Sequence, residues 1–389
     1  MLRTVAVAAS ALGLAALLGC GAAKRYLTPL ELRAIYTERL GPEHGLEVPF
    51  QVSDPVRDFY ADQVRGTNPS DLIQSILSVT FRDKNGLGLT YNNDHTLTAN
   101  ETFAAGQGNC LSFVNLFVGI SRAFSVPTEF VEVEDYDTFR RDGAFVVNGT
   151  HIVGGFIHGG KLYTIDFLPG RPKRYRRFHT ISDLHAVAHF YNNRAVELML
   201  AGELEPARIQ LERVVRLTPD FAKAWNNLGV CFNRLQEPEQ AIAAFHHALQ
   251  EDPEFVLPHE NLAAVYIRSG AVGSARAEIE AARRLRSRNP FFLLMQADQA
   301  LAEARYAEAE ELYQKARARD RSLADAYVGL GRVALASGEP KEAEKHLRKA
   351  LQLEADHPTA LELLKVLREP APDPEPPSAG IAVNGSLRS

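Results

Sequence analysis

The sequence predicts two parts, an α+β domain followed by an all-α solenoid of helical repeats, and three observations carry that reading. A phased 34-residue pattern runs through the C-terminal half. A long apolar stretch opens on a small polar turn and one cysteine, GNCLSFVNLF from Gly108 to Phe117. Further on, two apolar runs flank Gly159-Gly160, the pattern of a β-hairpin with a two-residue turn.

At 389 residues, 46% hydrophobic and 23% charged, the chain has the makeup of a globular protein of two or three domains. A formal charge of −5 is too mild for phosphate binding, which needs a clustered basic surface, so no nucleic-acid partner is expected. Residues 1–19 are set aside from the fold as a signal peptide: Met1-Leu2-Arg3 is a positive start and Thr4 to Leu18 carries no charge. That run falls short of the about 20 apolar residues a spanning helix needs. It ends in Leu17-Leu18-Gly19-Cys20, which resembles the bacterial lipobox. The resemblance implies acylation of Cys20, which becomes the new N-terminus. Gly21 and Ala22 in place of an aspartate imply, by resemblance to Gram-negative lipoproteins, an outer-membrane lipoprotein facing the periplasm and touching the membrane through lipid alone. Cys110 and Cys231 then remain. They fall in different domains, so no disulfide joins them in this reading, although exported cysteines are often paired.

The repeats justify the solenoid. Trp225, Leu228, Gly229 and Phe232, then Ala241, Phe245, Ala248 and Pro253, fit the tetratricopeptide pattern, with Phe232 where tyrosine is usual. Shifting by 34 residues finds the register again, so units start near 188, 222, 256, 290 and 324. Small residues let the two helices of a unit approach, and large ones fill the gap to the next unit. Residues 358–368 read as a capping helix and 369–389, rich in proline and small residues, as a disordered tail. Cys231 falls where such repeats pack small residues, so it reads as core. Asn192, Asn193, Asn226 and Asn227 stand near the starts of first helices, where they either bind the backbone of a peptide in the groove or face water or a neighbouring repeat. The repeat groove is expected to hold a protein or peptide partner.

The α+β domain is justified by Cys110 to Phe124, apolar nearly all round and so a buried helix, with Asn109 as its N-cap. Cys110 then sits in the first turn, where the helix dipole and unpaired N–H groups favour a thiolate. A nucleophilic cysteine needs a base and a group that orients the base. If Gly159-Gly160 is the turn, His158 pairs with Lys161, and counting back puts His151 and Asp166 on one face as diagonal neighbours about 7–8 Å apart at the backbone. His158 points to the opposite face and receives no catalytic role.

A glycine-x-cysteine opening a helix, then a strand histidine and an aspartate ending the next strand, resembles the core of bacterial transglutaminase-like proteins, a papain-like cysteine fold. The likeness spans about residues 70–170. It implies Cys110 as nucleophile, His151 as general base and acid, and Asp166 as the group that orients the imidazole. Two positions depart from the better-known members: Val153 stands where tryptophan is usual, and Phe167 where proline often follows the aspartate. The implied chemistry is acyl transfer from an amide, with a helix-start N–H at the oxyanion and Gln107 as a weaker candidate donor. Water as acceptor makes a peptidase or amidase, and an amine makes a crosslinking enzyme; the residues leave this open, and bacterial relatives favour hydrolysis.

The full map is a signal peptide over 1–19, a lipidated tether with N-terminal helices over 20–68, the transglutaminase-like domain over 69–170, a basic linker over 171–187 containing Arg171, Lys173, Arg174, Arg176 and Arg177, repeats and cap over 188–368, and the tail over 369–389. No cysteine–histidine cluster, calcium loop or glycine-rich phosphate loop has the spacing of a site, so neither metal nor cofactor is expected. Two functions follow: a lipid-anchored thiol peptidase or amidase, or an inactive periplasmic scaffold working through its repeats.

Overall fold

The structure, a computed structural model, describes residues 26–82, 86–142, 145–167, 175 and 177–368. The signal peptide, Cys20, the first residues of the tether, the tail over 369–389, and Arg171, Lys173, Arg174 and Arg176 lie outside the described residues. The chain divides into two compact units, Met1–Glu280 and Ala281–Ser389.

Unit one starts with α1 (Pro29–Leu40). Thr28 and Glu31 cap its first turn reciprocally, and Pro29 supplies a φ already suited to a helix. Helices α2 (Asp54–Ala61) and α3 (Pro69–Phe81) follow. The same capping box, Thr98 with Glu101, starts α4 (Ala99–Ala105). A short parallel pairing of β1 (Thr90–Tyr91) with β2 (Gln107–Gly108) then delivers the chain to α5 (Cys110–Ala123). Every residue of α5 from Leu111 to Ser121 is buried, which makes it a core helix without a solvent face.

Four antiparallel strands form the main sheet in the order β5-β4-β3-β6: β3 (Thr128–Asp142), β4 (Phe145–His158), β5 (Lys161–Ile165) and β6 (Phe178–Ile181). Gly159 and Gly160, at φ +57° and +75°, make the tight turn between β4 and β5. That left-handed backbone favours glycine at both places. Where β4 crosses α5, a Cβ on Gly154 would stand 2.8 Å from Phe117.

The segment expected to be a linker over 171–187 contains ordered elements in its second half. Phe178 to Ile181 is β6, and Ile181 pairs with Phe130 and enters the core. Ser182 then caps α6 (Asp183–Leu200), five residues ahead of the predicted repeat start at 188. The physical reason is that the aromatic and β-branched residues after Arg177 satisfy the open edge of β3. A buried ion pair between Asp183 and Arg122 of α5, at 2.9 Å, fixes the junction.

The first repeats of unit one are α6 with α7 (Leu204–Leu217), α8 (Ala222–Arg234) with α9 (Pro238–Glu251), and α10 (Val256–Arg268) leading to α11 (Val272–Arg286), within which unit one ends at Glu280. One hydrophobic core runs from Leu32 through α5 to Leu262 and Val265 of α10. The α/β part and these repeats are therefore a single folded body. Unit two contains α12 (Pro290–Ala302), α13 (Tyr306–Arg319), α14 (Ala324–Ala336), α15 (Pro340–Leu353) and the terminal α16 (Pro358–Arg368). Helices α8, α10, α12 and α14 begin at residues 222, 256, 290 and 324, in the 34-residue phase of the sequence. Small-against-large packing recurs in both units: Gly229 meets Phe245, and Gly329 meets Tyr313.

Candidate active site

Cys110 is the first residue of α5, and a polar lattice fixes that turn. Asn109 accepts hydrogen bonds from the Ser112 N–H at 3.0 Å and the Ser112 hydroxyl at 2.9 Å, while its amide donates to Thr96 at 2.9 Å. The Thr96 N–H in turn donates to Glu197 of α6 at 2.7 Å, so the first repeat helps hold the loop that supports Cys110.

His151 lies in β4 and is 1% exposed at its side chain. The register Gly154–Ile165 leaves Asp166 just past the end of β5. The flanking Phe167 packs against Phe81, Phe113 and Phe117, with ring centroids 5.7, 6.0 and 5.9 Å away. This aromatic anchor gives a packing role to the residue standing where the resemblance suggested proline. Val153, at the other departure, is buried with Val131 and Val133. Between these supports, His151 Nε2 and Asp166 Oδ1 are 3.1 Å apart.

Tyr175, absent from the sequence-based set, joins them. Its oxygen is 2.9 Å from His151 Nε2, and its hydroxyl donates to Asp166 Oδ2. No periodicity or motif marks it: it lies in a cationic stretch with no strand pattern. With the phenolic proton given to Asp166, the tyrosine oxygen is an acceptor for His151 Nε2–H. In that tautomer Nδ1 is the acceptor nitrogen.

Backbone N–H groups of Leu111, Cys110 itself and Ile152, the residue after His151, favour the Cys110 thiolate. The expectation of a lowered thiol pKa is not met in the resting state. Burial pushes the thiol up to about 12, and the charge of Asp166 adds to the rise, outweighing those N–H groups. Desolvation of the anion exceeds what one helix terminus returns. A thiolate at neutral pH therefore requires a base that takes the proton as the anion forms.

His158 lies at the exposed hairpin end, 3.1 Å from the Ser70 hydroxyl. Gln107 is also exposed, its side-chain oxygen accepting from Asn92 at 3.2 Å. Cys231 is buried and donates to the Leu204 carbonyl at 3.3 Å, a packing cysteine. Among the described residues no three histidine, cysteine, aspartate or glutamate side chains are grouped to hold a metal ion. No helix among them is long and apolar enough to cross a membrane.

The inner face of the first repeats differs from an open groove. Strand β4 lies against α8 and α10, and β3 and β4 lie against α6. Glu132 of β3 meets Lys223 of α8 at 2.8 Å and His189 of α6 at 3.4 Å. Burial alone would raise the Glu132 carboxyl, but the opposing charges and hydrogen bonds of His189 and Lys223 hold it well below the usual carboxylate range. Asn192, Asn226 and Asn227 are fully buried. Asn227 donates to Asn192 at 2.9 Å, and Asn261, which the sequence reading did not single out, donates to Asn226 at 2.8 Å. These asparagines tie repeat to repeat; Asn193 is half-buried.

Comparison with known proteins supports the repeats. Family models described as tetratricopeptide repeat match residues 222–255 and 300–375. A curated relative, the tetratricopeptide repeat domain-containing protein PYG7, chloroplastic, of Arabidopsis thaliana, is 34% identical over 67 residues, 17% of this chain and 22% of that protein. The chain thus spans about a fifth of that relative's length. Similar solved structures include YrrB, titled a TPR protein with an unusual peptide-binding site, at 22% identity, 46% of this chain, 92% of that one and TM-score 0.25. Another is pilF of Pseudomonas aeruginosa, at 18% identity, 47% of this chain, 84% of that one and TM-score 0.26. The C-terminal half of this chain carries tetratricopeptide repeats, a type of module that binds proteins or peptides.

Proposed function

We propose that the α/β part is a thiol acyl-transfer enzyme of transglutaminase-like kind, a peptidase or amidase, on a chain whose repeats recruit a protein partner. The observation that carries this reading is the 3.1 Å contact of His151 Nε2 with Asp166 in a domain where Cys110 opens the central helix. His151 takes the Cys110 proton as sulfur attacks an amide carbonyl. The tetrahedral oxyanion is met by N–H groups at the start of α5. Collapse breaks the C–N bond, His151 returns the proton to the departing amine, and a thioester remains on Cys110. Water then releases an acid, or an amine accepts the acyl group. We also propose lipid attachment at Cys20 and an outer-membrane position facing the periplasm, tested by loss of lipid labelling and of membrane retention in Cys20→Ser.

The second reading, an inactive scaffold, is favoured by the desolvation that raises the half-buried Cys110 thiol and by family models that match in the repeats. The pH dependence of Cys110 alkylation, followed on its own peptide by mass spectrometry, separates the two. A thiol that reacts well below pH ~8 and slows at least about tenfold in His151→Ala and Asp166→Ala supports the enzyme. Inert behaviour at neutral pH, unchanged by either substitution, leaves the scaffold.

A further inference from the structure

Resting on that acyl-transfer reading, we infer that Tyr175 is a positioning residue of the thiol site, acting through its hydroxyl on His151 and Asp166 together. Three observations lead there. The hydroxyl proton goes to Asp166 Oδ2, while the same oxygen is 2.9 Å from His151 Nε2. Asp166 Oδ1 stands 3.1 Å from that nitrogen, so the imidazole N–H has two acceptors, one on each neighbour. The tyrosine ring, 5.5 Å from the imidazole centroid, is itself packed against the buried cluster Val131, Val133 and Val153.

Geometry makes the closed triangle more informative than a pair. A carboxylate joined to an imidazole by one contact leaves the ring free to pivot about that contact and leaves the second carboxylate oxygen without direction. In this site Tyr175 fastens both. Donating to Oδ2 turns the carboxylate so that Oδ1 faces the ring, and accepting from Nε2–H fixes the tautomer in which Nδ1 is the acceptor nitrogen. A hydrogen-bonded third group that orients the partner of a catalytic histidine is the general arrangement by which a weak base is held ready. Tyr175 meets His151 and Asp166, and its effect is exerted through the imidazole.

The residue belongs to the connection between β5 and β6, and β6 leads directly into α6. It is therefore supplied by the segment expected from sequence to be a plain linker. A change in how β6 is seated on β3 would move the anchor of the imidazole. The anchoring side chain is thus tied in sequence to the first repeat and in space to the thiol site.

Tyr175→Phe tests this because it removes one oxygen and keeps the ring on its valine cluster. The measurement is the rate of Cys110 alkylation by iodoacetamide against pH, on the full-length chain, read on the Cys110 peptide and set beside His151→Ala and the thermal midpoint of each variant. Loss of the hydroxyl is expected to slow alkylation at pH 7 about fivefold and to displace the reactivity profile toward higher pH, with the thermal midpoint near that of the parent. A purely structural tyrosine would lower the midpoint without moving the profile. If His151→Ala displaces the profile and Tyr175→Phe superimposes on the parent, Tyr175 has no positioning role and the acyl-transfer reading stands. A faster reaction in Tyr175→Phe also overturns the inference, since the hydroxyl would then be withholding Asp166 from His151. If neither variant moves the profile, the acyl-transfer reading falls and this role falls with it.

Discussion

The repeats of unit one and those of unit two share a 34-residue phase yet treat their inner faces differently. Asn227, Asn261 and Met295 occupy the same position in successive repeats. The two asparagines are fully buried, whereas Met295 is 56% exposed. In unit one the face is spent on the protein's own sheet, with Glu132 inserted between His189 and Lys223. In unit two the corresponding surface carries Asp298 and Arg332, paired at 2.8 Å but open to solvent. Repeat pattern alone therefore does not identify a docking surface: in unit one that face packs on the protein's own sheet, and in unit two the same repeat positions are exposed.

Breaking the two ion pairs gives the largest contrast. Lys223→Met leaves Glu132, 12% exposed at its side chain, without its lysine and is expected to cost about 3 kcal/mol in urea unfolding. Arg332→Met removes a partner from an exposed pair and is expected to cost less than about 0.5 kcal/mol. Equal losses would show that unit one is no more dependent on its inner face than unit two.

Insertion of a methyl group where β4 meets α5 comes next. Gly154→Ala has to displace Phe117, itself buried, and is expected to cost about 1–3 kcal/mol and to slow Cys110 alkylation through the shifted His151 strand. An unchanged urea midpoint would show that the strand yields without strain.

The asparagine contacts sharpen the comparison at smaller scale. Asn227→Ala removes the bond to Asn192 and leaves a buried acceptor, an expected loss of about 1–2 kcal/mol. Met295→Ser at the same repeat position of unit two is expected to stay within about 0.5 kcal/mol. The two urea midpoints, measured side by side, check this ordering.

Acid supplies a gentler probe. Because Glu132 is held below the ordinary carboxylate range in the folded protein, its stabilising contribution is complete above the unfolded value of 4.5 and is lost as pH falls below it. Trp225, the only tryptophan, lies on α8 beside this cluster in sequence and reports unit one by fluorescence. Stability read from it is expected to fall more steeply below pH ~4.5 in the parent than in Lys223→Met, in which the carboxylate has lost one source of its depression.

What the sequence disclosed and what it withheld follow from the range of the interactions. The contact of His151 with Asp166 was legible because a two-residue glycine turn sets strand register, and register sets which side chains share a face. The buried helix was legible from its unbroken apolar run, and the repeats from their phase. Tyr175 was hidden because its approach to His151 depends on where a connection lands after β5, which no local pattern encodes. The pairing of the asparagines between repeats was one of the alternatives their helix positions allowed, and only the folded contacts select it. The thiol was misjudged because its helix position favours an anion, and only the folded surroundings reveal the stronger cost of burial.

The central claim is that Cys110 carries an acyl group on behalf of an enzyme, and trapping that group tests it most directly. The full-length protein is mixed with an activated acetyl ester and each cysteine peptide is followed by mass spectrometry. A thioester should accumulate on Cys110, slow markedly in His151→Ala and Asp166→Ala, and disappear in Cys110→Ser. An unmodified Cys110, or one acetylated equally fast in the His151→Ala protein, would contradict the claim and leave the repeats as the working part of the molecule.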